Sequence, residues 1–160
     1  MKEEQEKMKI TTIDKVNNIL ALYPEADEER LAKIRSDVEK DIKKAEKGDR
    51  IVYGIENDGK IVGTMQLVFR DDKEFYADGK TRAHLHHARV LEDLRGQGIG
   101  TKLMEEAENE AKRRGFTEMT LGVDEDNRQA VKLYERLGYK EFMREKGEQG
   151  EPIVGMKKDL

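Results

Sequence analysis

The sequence predicts an α/β fold around one mixed β-sheet, in a single domain that spans residues 1–160 with its core at about 8–158. Segments rich in Ile and Val alternate with segments whose apolar residues recur three and four positions apart. Glycines follow these segments where turns and helix ends are expected. The predicted order is a strand, two helices, a hairpin and then β-α-β-α-β-β. Antiparallel strands therefore come first, and a parallel crossover follows.

The first third of the chain is predicted to hold a strand and two helices. Residues 9–13 are mostly β-branched and lead into Asp14, which is placed to cap a brief helix that ends before Pro24. From Asp27 onward, apolar residues recur along one side of a charged helix. Gly48 follows this helix and is expected to end it in a left-handed conformation.

A hairpin, four further strands and two helices are predicted next. Residues 50–55 and 61–69 are rich in Ile and Val, and an Asp-Gly pair between them favours a tight turn. The polar residues 71–80 form a loop, and residues 83–91 form a strand that carries all three histidines. The remaining predicted elements are a glycine-rich turn at 94–100, a helix that ends at Gly115, a strand at 116–123, a helix that Asp126 or Asn127 caps and Gly138 ends, and strands at 139–143 and 153–156.

Composition and charge exclude several classes of function. The chain carries 31 Lys and Arg against 35 Asp and Glu, so its net charge of −4 lacks the positive excess that nucleic-acid binding needs. It has no Cys, which excludes disulfides, thiolate nucleophiles and Cys-based metal sites. Residues 1–9 are a charged run without an apolar core, so no signal peptide is expected, and no run of about 18 apolar residues indicates a membrane span. These features predict a cytoplasmic protein.

A glycine-rich segment lies between a predicted strand and a predicted helix: Arg95-Gly96-Gln97-Gly98-Ile99-Gly100. Unpaired backbone N–H groups and the helix dipole suit such a position to an anion, and glycine lets the backbone approach phosphate oxygens. The order Gly100-Thr101-Lys102 does not match a P-loop, and Thr101 and Leu103 stand where a dinucleotide fingerprint needs its third glycine. A tight connection without a ligand is the alternative interpretation.

Two motifs resemble those of the GNAT superfamily of N-acetyltransferases. The first is the acetyl-CoA loop Arg/Gln-x-x-Gly-x-Gly/Ala, which Arg95, Gly98 and Gly100 match in register. The second is Asn-x-x-Ala-x-x-x-Tyr-x-x-x-Gly-Phe/Tyr, and its matching residues are Asn127, Ala130, Tyr134, Gly138 and Tyr139. The order of elements is also similar over nearly the whole chain. The resemblance implies a mostly antiparallel sheet of six to seven strands, about four helices, and a V-shaped splay between strands four and five.

The resemblance implies acetyl-CoA as the cosubstrate that donates the acetyl group. In the family, the pyrophosphate lies on the amides of the glycine loop, the pantetheine arm pairs with the backbone of strand four, and an Asn at the position of Asn127 bonds the arm. The residues implied to hold acetyl-CoA are Ala88, Arg89, Val90, Arg95, Gly96, Gln97, Gly98, Ile99, Gly100, Thr101, Asn127 and Tyr134.

The implied reaction is direct attack of a neutral amine on the thioester carbonyl, without a covalent enzyme intermediate. A backbone N–H near Val90 is the implied oxyanion donor. Tyr134 matches the family's general acid, because a phenol with a pKa near 10 stays protonated at neutral pH and can donate to the leaving sulfur. The alternative interpretation of Tyr134 is a core tyrosine on the buried stripe of its helix.

Histidines are the candidate groups for removing the proton of the amine. Strand alternation places His84 and His86 on one face and His87 on the other. The His-x-His pair resembles the one thought to relay the substrate proton in arylalkylamine N-acetyltransferases, and histidine has a suitable pKa. Rings that only hydrogen-bond within the sheet are the alternative. No third ligand accompanies the pair, so no metal is predicted. Gly122 stands where many GNAT enzymes carry a strand-five Glu.

The predicted function is transfer of the acetyl group of acetyl-CoA to a primary amine, with a small molecule as the first candidate acceptor and a protein N-terminus or lysine as the second. A catalytically silent CoA-binding module is the alternative outside the enzymes. The segments expected to face the acceptor, roughly residues 23–29 and 145–152, are acidic and suit a cationic amine. GNAT domains often pair through their late strands, so a homodimer is expected.

Overall fold

The computed structural model describes residues 8–160 and has the predicted order of elements. Its elements are β1 (Met8–Thr12), α1 (Val16–Leu20), α2 (Glu28–Glu46), β2 (Arg50–Asn57), β3 (Lys60–Val68), β4 (Arg82–Val90), a 3₁₀ turn (Glu92–Leu94), α3 (Ile99–Arg113), β5 (Glu118–Asp124), α4 (Arg128–Arg136), β6 (Lys140–Lys146) and β7 (Pro152–Asp159).

The seven strands form one mixed sheet in the order β1-β2-β3-β4-β5-β7-β6. Strands β4 and β5 are parallel, whereas β5 and β6 both pair with β7 in antiparallel register. Strand β1 is antiparallel to β2, and only two residues join β2 to β3, which fixes that pair as an antiparallel hairpin. The predicted mostly antiparallel sheet with four helices is confirmed.

The chain divides into two compact units. The first comprises residues up to Leu67 together with His87–Ala107, and the second comprises Val68–His86 and Glu108–Leu160. Ile13, which lies between β1 and α1, forms a core cluster in the first unit with apolar residues of α1, α2 and β2: Ile19, Val38 and Val52. In the second unit, the buried apolar residues of β5 and β7 include Met119, Leu121, Val154 and Met156.

The helix ends and turns follow the expected chemistry with one exception. Asp27 caps α2, since its Oδ1 accepts a hydrogen bond from the N–H of Arg30 (2.8 Å). Gly48, with a φ of 86°, ends the same helix. The prediction that Asp14 caps α1 is wrong, because the capping position falls on Lys15, which makes no side-chain hydrogen bond there. None of the helices described is long and apolar enough to cross a membrane.

A charged group of the first unit lies where the hydrophobic pattern of α2 does not predict one. Asp41 is buried between α2 and the sheet, where its two carboxylate oxygens accept hydrogen bonds from Arg50 Nη1 (3.2 Å) and Gln66 Nε2 (2.9 Å). Arg50 Nη1 also donates to Gln66 Oε1 (2.9 Å), which closes the network. Arg50 is only 4% exposed. A buried ion pair therefore links α2 to β2 and β3.

Candidate active site

The glycine loop of the first unit has the conformation of an anion cradle. Gly96 and Gly98 have φ angles of 78° and 81°, in the left-handed region that glycine enters without strain. A Cβ at either position would meet nothing within 4 Å, so the backbone of the loop faces open space. The structure also places Gly100 inside α3, not in the loop.

The start of α3 leaves backbone donors without partners in the helix. Lys102 N–H donates to Gly98 O (3.0 Å), and the amides that precede it have no carbonyl one turn earlier in the helix. The positive end of the helix dipole lies at the same place. Arg95 Nε donates to Val90 O (3.0 Å), which ties the loop to the end of β4. This arrangement can hold a phosphate or pyrophosphate group.

The side chain of Arg89 contacts the segment between α1 and α2. Its Nε donates to Leu22 O (2.8 Å), its Nη2 donates to Glu25 Oε1 (2.5 Å), and its guanidinium lies 3.9 Å from the centroid of the Tyr23 ring. Arg89 therefore fastens the segment between α1 and α2 to β4. This leaves only its backbone for the contact that the sequence predicts with the pantetheine arm.

Strand β4 changes its conformation within the histidine segment. Its paired register with β5 runs from Arg82 to Leu85. His87, two residues later, has a φ of 50°, an uncommon value for a residue with a side chain. Backbone groups of the strand beyond this point, at Ala88 and Val90, are those predicted to meet the pantetheine arm.

Tyr134 and Asn127 lie on α4 of the second unit. Asn127 caps the helix, with its Oδ1 accepting from Ala130 N–H (3.2 Å), so the other candidate cap, Asp126, is excluded. Tyr134 is half-buried, and burial raises the pKa of its phenol above the usual value. Its ring lies edge-on to that of Tyr139, with centroids 6.2 Å apart. Tyr139 is fully buried and donates to Glu108 Oε1 (2.7 Å).

His84 and His86 lie together in the second unit, with ring centroids 5.4 Å apart. His84 is 4% exposed, and its Nδ1 lies 3.0 Å from Thr120 Oγ1. The Thr120 hydroxyl donates its one hydrogen to Tyr76 O (2.7 Å), so it must accept from the histidine. Nδ1 of His84 therefore donates in this contact.

The sequence patterns did not indicate Tyr76, or Glu145 beside it, as candidate site residues. The Tyr76 ring stacks on His84 with centroids 4.3 Å apart. A Cβ built on Gly122 would lie 3.0 Å from Tyr76 Oη. Burial, together with the facing Glu145 carboxylate, raises the pKa of Tyr76 well above its usual value. The absence of a side chain at residue 122 is the sequence signal that could have indicated a large residue packed against β5.

The described part of the chain contains no group of three or more His, Asp and Glu residues that could hold a metal ion.

Known proteins share this fold. PaiA N-acetyltransferase from Thermoplasma acidophilum, solved in complex with coenzyme A, superposes with a TM-score of 0.70 at 19% identity over 96% of this chain and 99% of that one. An aminoglycoside 6'-N-acetyltransferase complexed with coenzyme A gives a TM-score of 0.67 at 18% identity, covering 94% and 96% of the two chains.

A closer sequence relative is N-alpha-acetyltransferase 30 of Schizosaccharomyces pombe, which is 36% identical over 63 residues, or 39% of this chain and 42% of that protein. The matched region thus spans less than half of that relative. The sequence profile of the Acetyltransferase (GNAT) family matches residues 13–139, which include the glycine loop, the histidine strand and Tyr134. The chain therefore belongs to the Acetyltransferase (GNAT) family.

Proposed function

We propose that this protein transfers the acetyl group of acetyl-CoA to a primary amine, in a ternary complex and without an acetyl-enzyme. The observation that carries the proposal is the glycine loop at the start of α3, where Gly96 and Gly98 hold left-handed conformations and face open space. In this proposal the amides from Gly96 to Thr101 bind the pyrophosphate, and the backbone of Ala88, Arg89 and Val90 holds the pantetheine arm.

Three side chains supply proton transfers in the proposed reaction. The amine loses a proton to a water relay that His84 and His86 hold, then attacks the thioester carbon. The oxyanion accepts a hydrogen bond from the backbone near Val90, and the carbon–sulfur bond breaks. Tyr134 gives its proton to the departing CoA thiolate. The proximity of the two histidine rings, whose centroids lie 5.4 Å apart, supports the relay.

A small cationic amine is the first candidate acceptor. The net charge of −4 and the acidic segment 23–29, which Arg89 fastens to β4, suit a positively charged molecule. The second candidate is a protein N-terminus, which the 36% identity to an N-alpha-acetyltransferase supports.

The test of the proposed function is a panel of acceptors with acetyl-CoA: butylamine, phenethylamine, spermidine, a peptide with a free N-terminus, and an N-blocked peptide with one lysine. CoA release is followed with a thiol reagent, for which this Cys-free chain gives no background. We expect the highest kcat/KM for one of the three small amines. A preference for either peptide overturns the small-molecule assignment, and CoA binding without turnover of any acceptor indicates a silent module.

Gly98→Ala is expected to weaken CoA binding at least about tenfold, because a Cβ hinders the close approach of phosphate to the loop backbone. Isothermal titration with CoA measures the change. Gly115→Ala is the matched control, since Gly115 also has a left-handed φ of 90° and open space around it but follows the far end of α3. Both variants should lose about 1 kcal/mol of stability from backbone strain. Equal CoA affinities for the two would remove the loop from the binding site.

The double variant His84→Asn, His86→Gln is expected to have a lower kcat/KM, most strongly at low pH. An alkylammonium substrate with a pKa near 10 needs a group that takes its proton most at low pH, where little of it is already neutral. The difference in kcat/KM between variant and parent should therefore shrink as pH rises. His87→Asn on the same strand is the control, because Asn tolerates the left-handed backbone there. A pH–rate profile of unchanged shape would make the two histidines structural.

A further inference from the structure

A cavity of the first unit lies between α1, α2 and β3, and His87 of β4 also lines it. Its volume is about 80 Å³, which gives room for about two or three water molecules or for one end of an alkyl chain. Asp37 and His87, which both line the cavity, are exposed, so the cavity is open to solvent. The reaction proposed above leaves this cavity without a role.

Helix α2 contributes four residues to the cavity, at the spacing of one helix face: Ile34, Asp37, Val38 and Asp41. Ile34 and Val38 belong to the apolar packing of the first unit. The two acidic residues line the same space, although like charges four positions apart repel each other and destabilise a helix. The apolar stripe of α2 therefore does not account for Asp37 and Asp41 on this side of the helix.

The two carboxylates make the cavity negative. Asp41 is paired with Arg50 (3.2 Å), and its other oxygen accepts a hydrogen bond from Gln66 Nε2 (2.9 Å). Among the described residues that line the cavity, none is a lysine or an arginine. Partial desolvation lowers the pKa of His87, and the charges of Asp41 and Asp37 oppose that shift, so both carboxylates act on the space beside this ring. The cavity therefore favours a cation over an anion or a neutral group.

Tyr23 forms a wall of the cavity that is fixed by its neighbours. The Arg89 guanidinium lies 3.9 Å from the centroid of the Tyr23 ring and donates to Leu22 O (2.8 Å) and to Glu25 Oε1 (2.5 Å). Glu25 compensates the charge of Arg89, and Arg30 lies further from the ring, at 5.7 Å. A wall that is already in place lowers the ordering cost of binding.

The cavity and the proposed oxyanion donor belong to the same strand end. His87 lines the cavity and lies three residues before Val90 in the chain. Three residues of extended strand span about 10 Å, and the left-handed φ of 50° at His87 makes the path shorter. An acceptor whose second charge lies about five carbon atoms from the reacting nitrogen can reach both positions.

We propose that this cavity binds a second cationic group of the acceptor, so that diamines are preferred over monoamines of the same length. Asp37 pairs with the distal ammonium at the open side of the cavity, and Asp41 adds negative potential from its buried side. The ammonium keeps some of its water, while the methylene groups beside it contact Ile34 and Val38. This inference rests on the proposed function and names the class of its acceptor.

Two acceptors that differ only in the second charge test the proposal: 1,5-diaminopentane and 5-aminopentan-1-ol. We expect kcat/KM to be about tenfold higher for the diamine, after correction for its two equivalent nitrogens, because a partly exposed charge-assisted contact has an effect of this size. Added salt should reduce the preference, since an exposed ion pair is screened. Equal kcat/KM values for the two acceptors would overturn the proposal.

Variants of Asp37 assign the preference to the cavity. Asp37→Asn should bring the ratio of the two kcat/KM values close to one, and Asp37→Lys should make the amino alcohol the better acceptor. Glu39→Gln and Glu39→Lys are the matched controls, because Glu39 is exposed on the same helix and is not among the lining residues. Both controls should keep the ratio within about twofold of the parent value, and all four variants should keep Tm within about 2 °C. Equal losses of preference at the two positions would refute the cavity as the site.

Equilibrium titration keeps the inference distinct from the proposed function. The same two molecules are titrated into the CoA-saturated protein and into its Asp37→Asn variant. Tighter binding of the diamine that Asp37→Asn abolishes supports the cation site even when neither molecule is acetylated. Turnover of both molecules with equal affinities refutes the cavity and leaves the proposed function intact.

Discussion

Tyr134→Phe is expected to lower kcat about 100- to 10,000-fold and to leave the Kd for acetyl-CoA unchanged. Loss of a positioned general acid has an effect of this size, because the CoA thiolate must then leave without a proton. The phenyl ring of the variant keeps the packing against Tyr139, whose centroid lies 6.2 Å away. Single-turnover rates and isothermal titration with acetyl-CoA measure the two quantities.

The environment of Tyr134 determines how kcat should depend on pH. Burial raises the pKa of this phenol, so the group stays protonated to a higher pH than an exposed tyrosine. The parent enzyme should therefore keep its kcat up to at least about pH 10. If kcat instead falls by pH 9, another group is the acid.

Tyr139→Phe is the matched control for the loss of a tyrosine hydroxyl. Tyr139 donates to Glu108 Oε1 (2.7 Å), and Lys158 Nζ also donates to that carboxylate (3.1 Å to Oε2). Its replacement leaves a partly buried carboxylate short of one donor and should reduce stability by about 1–3 kcal/mol. The kcat of this variant should stay within about threefold of the parent. Equal losses of kcat in the two variants would contradict a proton-donor role for Tyr134.

The hydrophobic pattern predicted the order of elements because the apolar residues of most segments recur at the spacing of a strand or a helix. The glycine positions also follow from local physics, since Gly48 and the Asp-Gly turn of the hairpin adopt the left-handed backbone that their sequence favours. Strand β6 runs on to Lys146, past the predicted end at residue 143, because its pairing with β7 continues into a polar segment. Pairing of this kind depends on the partner strand and has no local signal.

The side chains of the candidate site were predictable only where a motif includes them. The partners of Arg89, Leu22 and Glu25, lie 67 and 64 residues away in the chain. Tyr76 likewise faces Gly122 and Glu145 from a polar loop that periodicity leaves unassigned. Such contacts join segments that are distant in sequence, so spacing along one element cannot indicate them.

Asp41→Ala is expected to reduce the free energy of unfolding by about 3–5 kcal/mol, the loss that follows when one partner of a buried ion pair is removed. Arg50, 4% exposed, would keep its charge with only Gln66 Oε1 to accept from it. Its Nε already has no partner among the described residues, so the guanidinium has little to compensate the missing carboxylate. Urea unfolding followed by circular dichroism measures the difference.

That loss of stability could come from an uncompensated buried charge or from lost packing. The two causes predict opposite effects of a second substitution at Arg50. Asp37→Ala removes an exposed carboxylate one turn earlier on α2 and should change stability by less than about 0.5 kcal/mol. Adding Arg50→Met to Asp41→Ala removes the stranded charge and should restore a large part of the stability, since apolar replacements of buried ion pairs are often tolerated. If the double variant is less stable than Asp41→Ala alone, the network acts through packing of α2 on the sheet and not through charge compensation.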